Sequence, residues 1–572
     1  MSNLTGTDVN KLTGITNGTA IASKCIVLDA NKGQDVITLK NAASAAATIE
    51  SNYSAIVPVD DGSTVELKVT FDDNGTEISK FILDETTGWK ALAQGVQWDA
   101  SNSSPVLTRL GSFVGLAASA SPGNDYLPIQ SDMKRCVMND NGTVNYYLDA
   151  DSSYMKQYTT VKTSGTADGT TESKLVDSGA DFVTDAVAAG MWVHNTTDDT
   201  WTMITAVDDL NTLSVLNDIF ISGENYVIGT AILNGDDGQV MVEIPKFYVK
   251  YSRTADVLKW YVSKYHLTGF EIHPAFLKDG VEVDYRYIGA FEAVPYDDGA
   301  SAYNDGAGAA ASNFNGGAVD LANDKIGSVA GYKSLTDETI VEFRTLAGNI
   351  GSGWQQLDVF LIGAVQLLYL IEYADFNSQV EIGTGNTSYD AWDFSNNVGY
   401  NGYSIPDGNA TAASNTAEDA LGITDVNDGI TNREYMSYRG IENLYGSVWN
   451  WYDGLNMYSN KAYVCYKSSN YESYANAGAE SLVKNHELIG TLANASGYVQ
   501  DIYDYGFGFF ADDVSGGSAS TYITDYYYQA AGWRVAALGG YASHGVKAGV
   551  FHLHVDSTLA HGVSTIGGRL AY

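Results

Sequence analysis

The sequence predicts an α+β chain made mostly of short strands, with two helices in its second half. Three observations carry this. Tyr, a good strand former, is abundant, with 39 among 572 residues. Gly is frequent at 59 and Pro scarce at 8, which suits many tight turns and close backbone approaches. Apolar and polar residues alternate with period two in many short runs, and only two segments carry a helical pattern.

In chain order, residues 1–33 scatter single Leu, Ile and Val among small polar residues and cannot bury a core alone. Their KLTGIT, ASK and VLDANK stretches resemble a short module at the start of many phage fibre and tail proteins. That resemblance implies attachment and trimerisation; the alternative is a flexible tail. Residues 34–96 alternate as strands in STVELKVTFDDNGTEISKFIL, with Asn74-Gly75 suited to a hairpin turn, and read as a small β-rich connecting domain. A larger domain is expected over 97–156 and 232–572, with another turn at Asn141-Gly142. Residues 157–231, rich in Thr, Asp and Val, read as a small β module inserted into a loop of that host, or as more of the same domain. Thr336–Ala347 predicts a helix, with Thr336 and Asp337 at its start and Ile340, Val341, Phe343 and Leu346 apolar. Trp354–Phe376 predicts a second helix, apolar nearly all round and therefore buried. Beyond residue 377, Gly, Asn, Ser, Tyr and Asp dominate, and long loops of that kind are usually functional.

The charge excludes some functions. Lys+Arg number 31 and Asp+Glu 69, a net charge of −38. Sequence-independent nucleic-acid binding needs clustered basic residues, and so does a polybasic membrane anchor. Cys25, Cys136 and Cys465 are too few and too scattered for a disulfide framework or a Cys-based zinc site. The N-terminus has neither the basic nor the apolar region of a secretory signal. The longest apolar stretch, Val359–Ile371, is too short to span a bilayer. The expectation is assembly in a host cytoplasm without membrane insertion.

Four pieces in the C-terminal half occur in a fixed order: LLYLIEYADFNSQ (367–379), RGIENLYGSVWNWYDG (439–454), GWRVAALGGY (532–541) and IGGRLAY (566–572). Together they resemble the C-type-lectin-like fold of formylglycine-generating-enzyme type. Within it they are most similar to phage receptor-binding proteins related to the major tropism determinant, and to the variable proteins of diversity-generating retroelements. The family's GNVWEW-like strand, GGSW-like turn and GFRL-like terminal strand have counterparts at 446–451, 539–541 and 567–570. Trp449 and Trp451, two apart, face one side of a strand and are read as core packing. Gly539-Gly540 suits a turn with positive φ. Arg569 is expected to be a buried ion-pair partner, with Glu442 as one candidate.

The resemblance implies that the segment after the turn displays ligand-contacting side chains on a fixed scaffold. The scaffold is Gly540, Ala548, Gly549, Phe551, Leu553, Ile566, Gly567 and Arg569. The displayed set is Tyr541, Ser543, His544, Val546, Lys547, His552, His554, Asp556, His561, Val563 and Thr565. The alternation of Phe551 and Leu553 with His552 and His554 fits a half-buried strand.

Four of the eight His fall between 544 and 561. No metal is expected, although His552 and His554 with His544 or His561 have the spacing of a three-ligand site; the competing readings are a polar aromatic contact surface and incidental exposed His. Formylglycine-generating enzymes carry cysteines after the turn, and this stretch has none, so their copper chemistry is not implied and no cofactor is expected. Asp501, Asp504, Asp512 and Asp513 read as solvated loop charges or weak Ca²⁺ ligands rather than a glycosidase pair. The tyrosine runs at 458–474, 503–510 and 526–528 offer rigid contact area, though many should pack loops onto the core.

The resulting expectation is a non-catalytic virion protein on a tail or head fibre, a homotrimer joined to other virion proteins through its N-terminus. It would bind a host-surface receptor, glycan or protein, through its C-terminal domain. The alternatives are a structural decoration or connector protein of the virion, and a polysaccharide-depolymerising tail spike.

Overall fold

The computed structural model describes residues 93–148, 161–306, 318–387, 401–402, 434–471 and 485–572, apart from residues 199, 217 and 505. Phe314 and the backbone of strands 55–60, 65–70, 79–83 and 416–417 are also described. Strands dominate, and three α-helices occur among the described residues. Among the described residues no helix is long and apolar enough to cross a membrane. The expected attachment segment and the Asn74-Gly75 turn lie outside the described residues. Strands Ala55–Asp60, Val65–Thr70 and Ser79–Leu83 pair antiparallel in a three-stranded sheet.

The body begins earlier than residue 97. Gln94–Asp99 pairs with Val257–Ser263 inside a five-stranded sheet, and Ala93, Val96 and Trp98 are buried. Trp98 meets Phe376 edge-on at 5.1 Å, so this strand is tied to the core, not to a linker. A six-stranded sheet runs in the order Gln355–Gln356, Leu570–Ala571, Tyr285–Gly289, Gln239–Pro245, Lys134–Met138 and Val144–Tyr147. The last residues of the chain are thus zipped beside strands from its first half. The turn at Asn141-Gly142 joins Lys134–Met138 to Val144–Tyr147, with Gly142 at φ 82°.

Residues 161–232 form a separate six-stranded sheet with their own core, including Leu175, Phe182, Val193, Ile204, Leu213 and Ile228. Strand alternation sends the neighbours of two of these residues the other way. Trp192 and Met203 join the core of the main body, where Cβ atoms at Gly402 and Gly331 would run into them. The module is therefore docked by two large apolar side chains as well as connected by its chain ends.

Both predicted helices form, with shifted ends. The first spans Ile340–Gly348, four residues later than its expected start. Thr339 accepts from the Glu342 N–H and the Glu342 carboxylate accepts from the Thr339 N–H, a reciprocal cap. Asp337 is left outside at φ 69°. The second helix spans Val359–Tyr373 and all fifteen residues are buried. Asp358 accepts from the N–H groups of Phe360 and Leu361, which fixes its start, and Gln355–Gln356 becomes a strand instead. At Gly363 the helix presses on the 506–510 segment: a Cβ there would lie 1.7 Å from the Phe507 carbonyl oxygen.

Several charges are buried with partners. Arg439 and Glu372, both fully buried, pair at 2.5 Å, and Arg286 pairs with Asp358 at 2.7 Å. Arg569 is buried as expected, but its hydrogen bonds go to main-chain carbonyls of Gly289, Glu442 and Asn443. The carboxylates of Glu292 and Glu442 act on it through space, and burial draws its pKa down to about 10. The terminal strand is locked by a guanidinium that satisfies carbonyls at strained turns, since Asn443 sits at φ 49°.

Candidate ligand-binding face

The largest sheet has seven strands in sequence across it, with Ile566–Gly567 pairing alongside Trp449–Tyr458. Four of its strands position the candidate site. Tyr526–Gln529 runs parallel to Leu553–Ser557, with Tyr528 opposite His554. Leu553–Ser557 borders Trp533–Leu538, which borders Trp449–Tyr458. Tyr526 and Tyr528 share one side of their strand and are half-buried, whereas Tyr527 between them is fully buried.

The Gly539-Gly540 pair ends Trp533–Leu538 with φ of 88° and 84° and releases the loop that follows. That loop is pinned at several points. Ala542 N–H donates to the Ser447 carbonyl at 3.0 Å and Gly545 N–H to the Thr387 carbonyl at 2.6 Å. The Gln379 amide donates to the carbonyls of Gly545 and Ala548 at 2.9 and 2.7 Å. A Cβ at Gly540 would meet Ala548, and one at Gly549 would meet the Asp525 carboxyl at 2.2 Å. Asp525 is buried, accepts from Phe551 N–H at 2.7 Å, and its pKa is pushed up to about 8 by desolvation. These contacts explain why small residues stand at the scaffold positions.

On this frame an aromatic cluster forms around Trp449. Its ring lies 4.6 Å from Tyr541, 4.8 Å from His544 and 4.3 Å from His554. Tyr528 closes the other side, stacked on His544 at 5.4 Å and within 6 Å of His552 and His554. The Trp449 indole N–H donates to His552 Nε2 at 3.3 Å, and His552 Nδ1 bonds the Lys547 carbonyl at 2.8 Å. Nε2 is therefore the acceptor and Nδ1 carries the proton. Desolvation, opposed by few favourable charges, lowers the pKa of His552 to about 3 and that of His544 to about 2.

Lys547 lies at the rim. Its ammonium sits 4.8 Å over the Tyr526 ring and 5.6 Å over the Tyr528 ring, and donates to the Tyr528 hydroxyl at 3.2 Å. That hydrogen bond raises its pKa. Tyr498, on the neighbouring strand, meets Tyr526 edge-on at 5.1 Å.

The structure thus brings Tyr541, His544, Lys547, His552 and His554 together, with Ser543 and Val546 exposed on the same loop. It corrects the expectation that His552 and His554 are displayed. Both are at most 3% exposed, because their strand is covered on both faces: Phe551, Leu553 and Val555 are buried too. Asp556 and His561 serve the strand end. His554 Nε2 lies 2.7 Å from Asp556 Oδ1, and His561 Nδ1 lies 2.7 Å from Ser557 Oγ. Val563 and Thr565 are half-buried, their carbonyls accepting from Asp337 and Trp449 N–H groups. Among the described residues no three metal-capable side chains come together as a ligand set, so His544, His552 and His554 are a packed aromatic group here. Asp501 is paired with Arg253 at 2.5 Å.

Two contributors were assigned differently from sequence. Trp451 is core, donating to the Glu338 carbonyl at 3.1 Å, but Trp449 is the hub of the site. The Tyr526–Tyr528 pair belongs to the same face, and its signal was the period-two spacing. No family model and no curated protein sequence matches the chain.

Proposed function

We propose that the chain is a phage virion fibre protein that attaches the particle to a host-surface ligand through this face, without catalysis. The finer fold reading, a C-type-lectin-like domain, belongs to the same proposal and rests on the sequence pieces at 367–379, 439–454, 532–541 and 566–572. The observation that carries the attachment reading is the rim of Tyr498, Tyr526, Tyr528, Tyr541 and Lys547, half-exposed on a loop and strands fixed by buried hydrogen bonds. Rigid tyrosines give contact area at low entropic cost, and a fixed backbone lowers the ordering cost of binding. Several copies on one particle would raise weak contacts by effective concentration. The test is binding of fluorescently labelled full-length protein to a panel of bacterial strains. Strain-selective binding that is lost on Tyr541→Ala plus Tyr528→Ala supports the reading. Absence of binding to every strain refutes attachment and favours a structural role in the virion.

A further inference from the structure

The rim has two features that a generic contact surface does not require. One is a continuous row of rings. From Tyr498 through Tyr526, Tyr528 and His544 to Tyr541, successive ring centres are 4.4 to 5.4 Å apart. Each ring is half-exposed, and the row follows one side of the sheet margin, since Gly497–Tyr498 is its terminal strand. The other is an ammonium with no counter-ion. Lys547 contacts a hydroxyl and two ring faces, and no carboxylate among the described residues lies within ion-pair distance of it. The chain has 69 acidic and 31 basic residues, and this ammonium at the margin of the ring row has none of those carboxylates as a partner among the described residues.

We propose that this row is a subsite for an anionic saccharide, with sugar rings laid on Tyr498, Tyr526, Tyr528 and Tyr541 and an acidic substituent held by Lys547. This deepens the attachment reading and rests on it. The chemistry favours a sugar for definite reasons. The C–H face of a pyranose is slightly positive and meets the negative face of an aromatic ring. The tyrosine hydroxyls along the row are groups that both donate and accept. An acidic substituent offers the Lys547 ammonium an anionic acceptor, and so an ion pair, in addition to the neutral Tyr528 hydroxyl. Nucleic-acid bases also stack on such rows, but a single lysine on a chain of −38 does not neutralise a phosphate backbone. An acidic peptide would need more than one cation to fix its register.

The test uses the full chain on an array of immobilised oligosaccharides, uronate- and sialate-bearing beside neutral ones of equal length. It is paired with binding to the strains identified above, after periodate or protease treatment of the cells. Lys547→Gln and Tyr526→Ala are the variants, with near-ultraviolet circular dichroism as the check on folding; Tyr526→Phe keeps the ring if Tyr526→Ala disturbs the strand. The expected result is retention of acidic saccharides, weakened about tenfold or more by Lys547→Gln and by Tyr526→Ala but not by Tyr526→Phe, and increasingly by salt. Periodate should abolish cell binding. Cell binding that resists periodate and is removed by protease refutes the saccharide while leaving attachment intact. Retention of neutral saccharides alone, or of acidic ones unchanged in Lys547→Gln, also overturns the proposal.

Discussion

Acid should loosen the face around His552, and the size of the effect follows from two hydrogen bonds. Nδ1–H donates to the Lys547 carbonyl and Nε2 accepts the Trp449 indole N–H. A second proton would have to sit on Nε2, pointing at another donor. Burial is the main opposing cause, and the neighbouring His554 and the Lys547 ammonium add to it; the Lys547 carbonyl and Asp556 favour the proton but do not win. The pKa falls from 6.5 to about 3 in the folded chain. A depressed pKa means stability that is fully present above 6.5 and lost as pH drops toward 3. At pH 5.0, about 1.5 pH units below the unfolded value, the loss is about 2 kcal/mol. His552→Gln keeps one donor and one acceptor but does not titrate. Hydrogen exchange of peptides covering 549–557, corrected for intrinsic rate, should be compared at pH 7.5 and 5.0. Wild-type protection should fall about 30-fold more than that of the variant. Equal falls in the two proteins would refute the assigned protonation state.

Three other perturbations test the frame beneath the face. Gly363→Ala sets helix propensity, worth about 1 kcal/mol in favour of Ala, against a Cβ 1.7 Å from the Phe507 oxygen. The clash should win, with about 1–3 kcal/mol of destabilisation in denaturant melts. Asp525→Asn removes a carboxyl whose pKa burial raises to about 8. Its stabilising effect is complete below 3.8 and lost as pH rises through 8, so the variant's deficit should shrink by about 1.4 kcal/mol per pH unit between them. Arg439→Met strands the buried Glu372 carboxylate and should cost about 3–5 kcal/mol, and adding Glu372→Met should recover part of it. For the expected trimer, a chain lacking residues 1–92, which spares the Gln94–Asp99 strand, should run as a monomer in light scattering; a trimer would move the oligomerising element into the body.

The parts of the fold that local rules govern were legible. The Asn141-Gly142 turn, the positive φ of Gly539-Gly540 and the buried Val359–Tyr373 helix each depend on a few adjacent residues. The start of the first helix was readable as well, because Thr339-x-x-Glu342 is a capping box, but Thr336 and Asp337 offered a competing cap. The site was less legible. Phe551-His552-Leu553-His554 reads as alternation only if one face is open. The 541–548 loop, Tyr528 and Trp449 cover the second face, which takes contacts from Tyr528, Trp449 and His544. Trp449 was read as core because its partners at 541–554 lie about a hundred residues away, and periodicity carries no information over that distance.

The arrangement also explains how histidines serve a surface that holds only one ammonium. Had His544 and His552 been charged, they would stand as two further cations close to Lys547 and would repel it and each other. Kept neutral by burial, with the Trp449 indole N–H donating to His552 Nε2, His544 and His552 behave as flat polar rings. They extend the tyrosine row inward, beside the Lys547 ammonium at its edge. The division of labour is physical. Buried imidazoles set the shape and stiffness of the platform, half-exposed phenols supply area, and one unpaired ammonium supplies sign. If so, Lys547→Gln should remove the salt dependence of ligand binding and leave the pH dependence of the 549–557 protection intact, whereas His552→Gln should do the reverse. A variant that changes both together would show that charge and shape are not separable here.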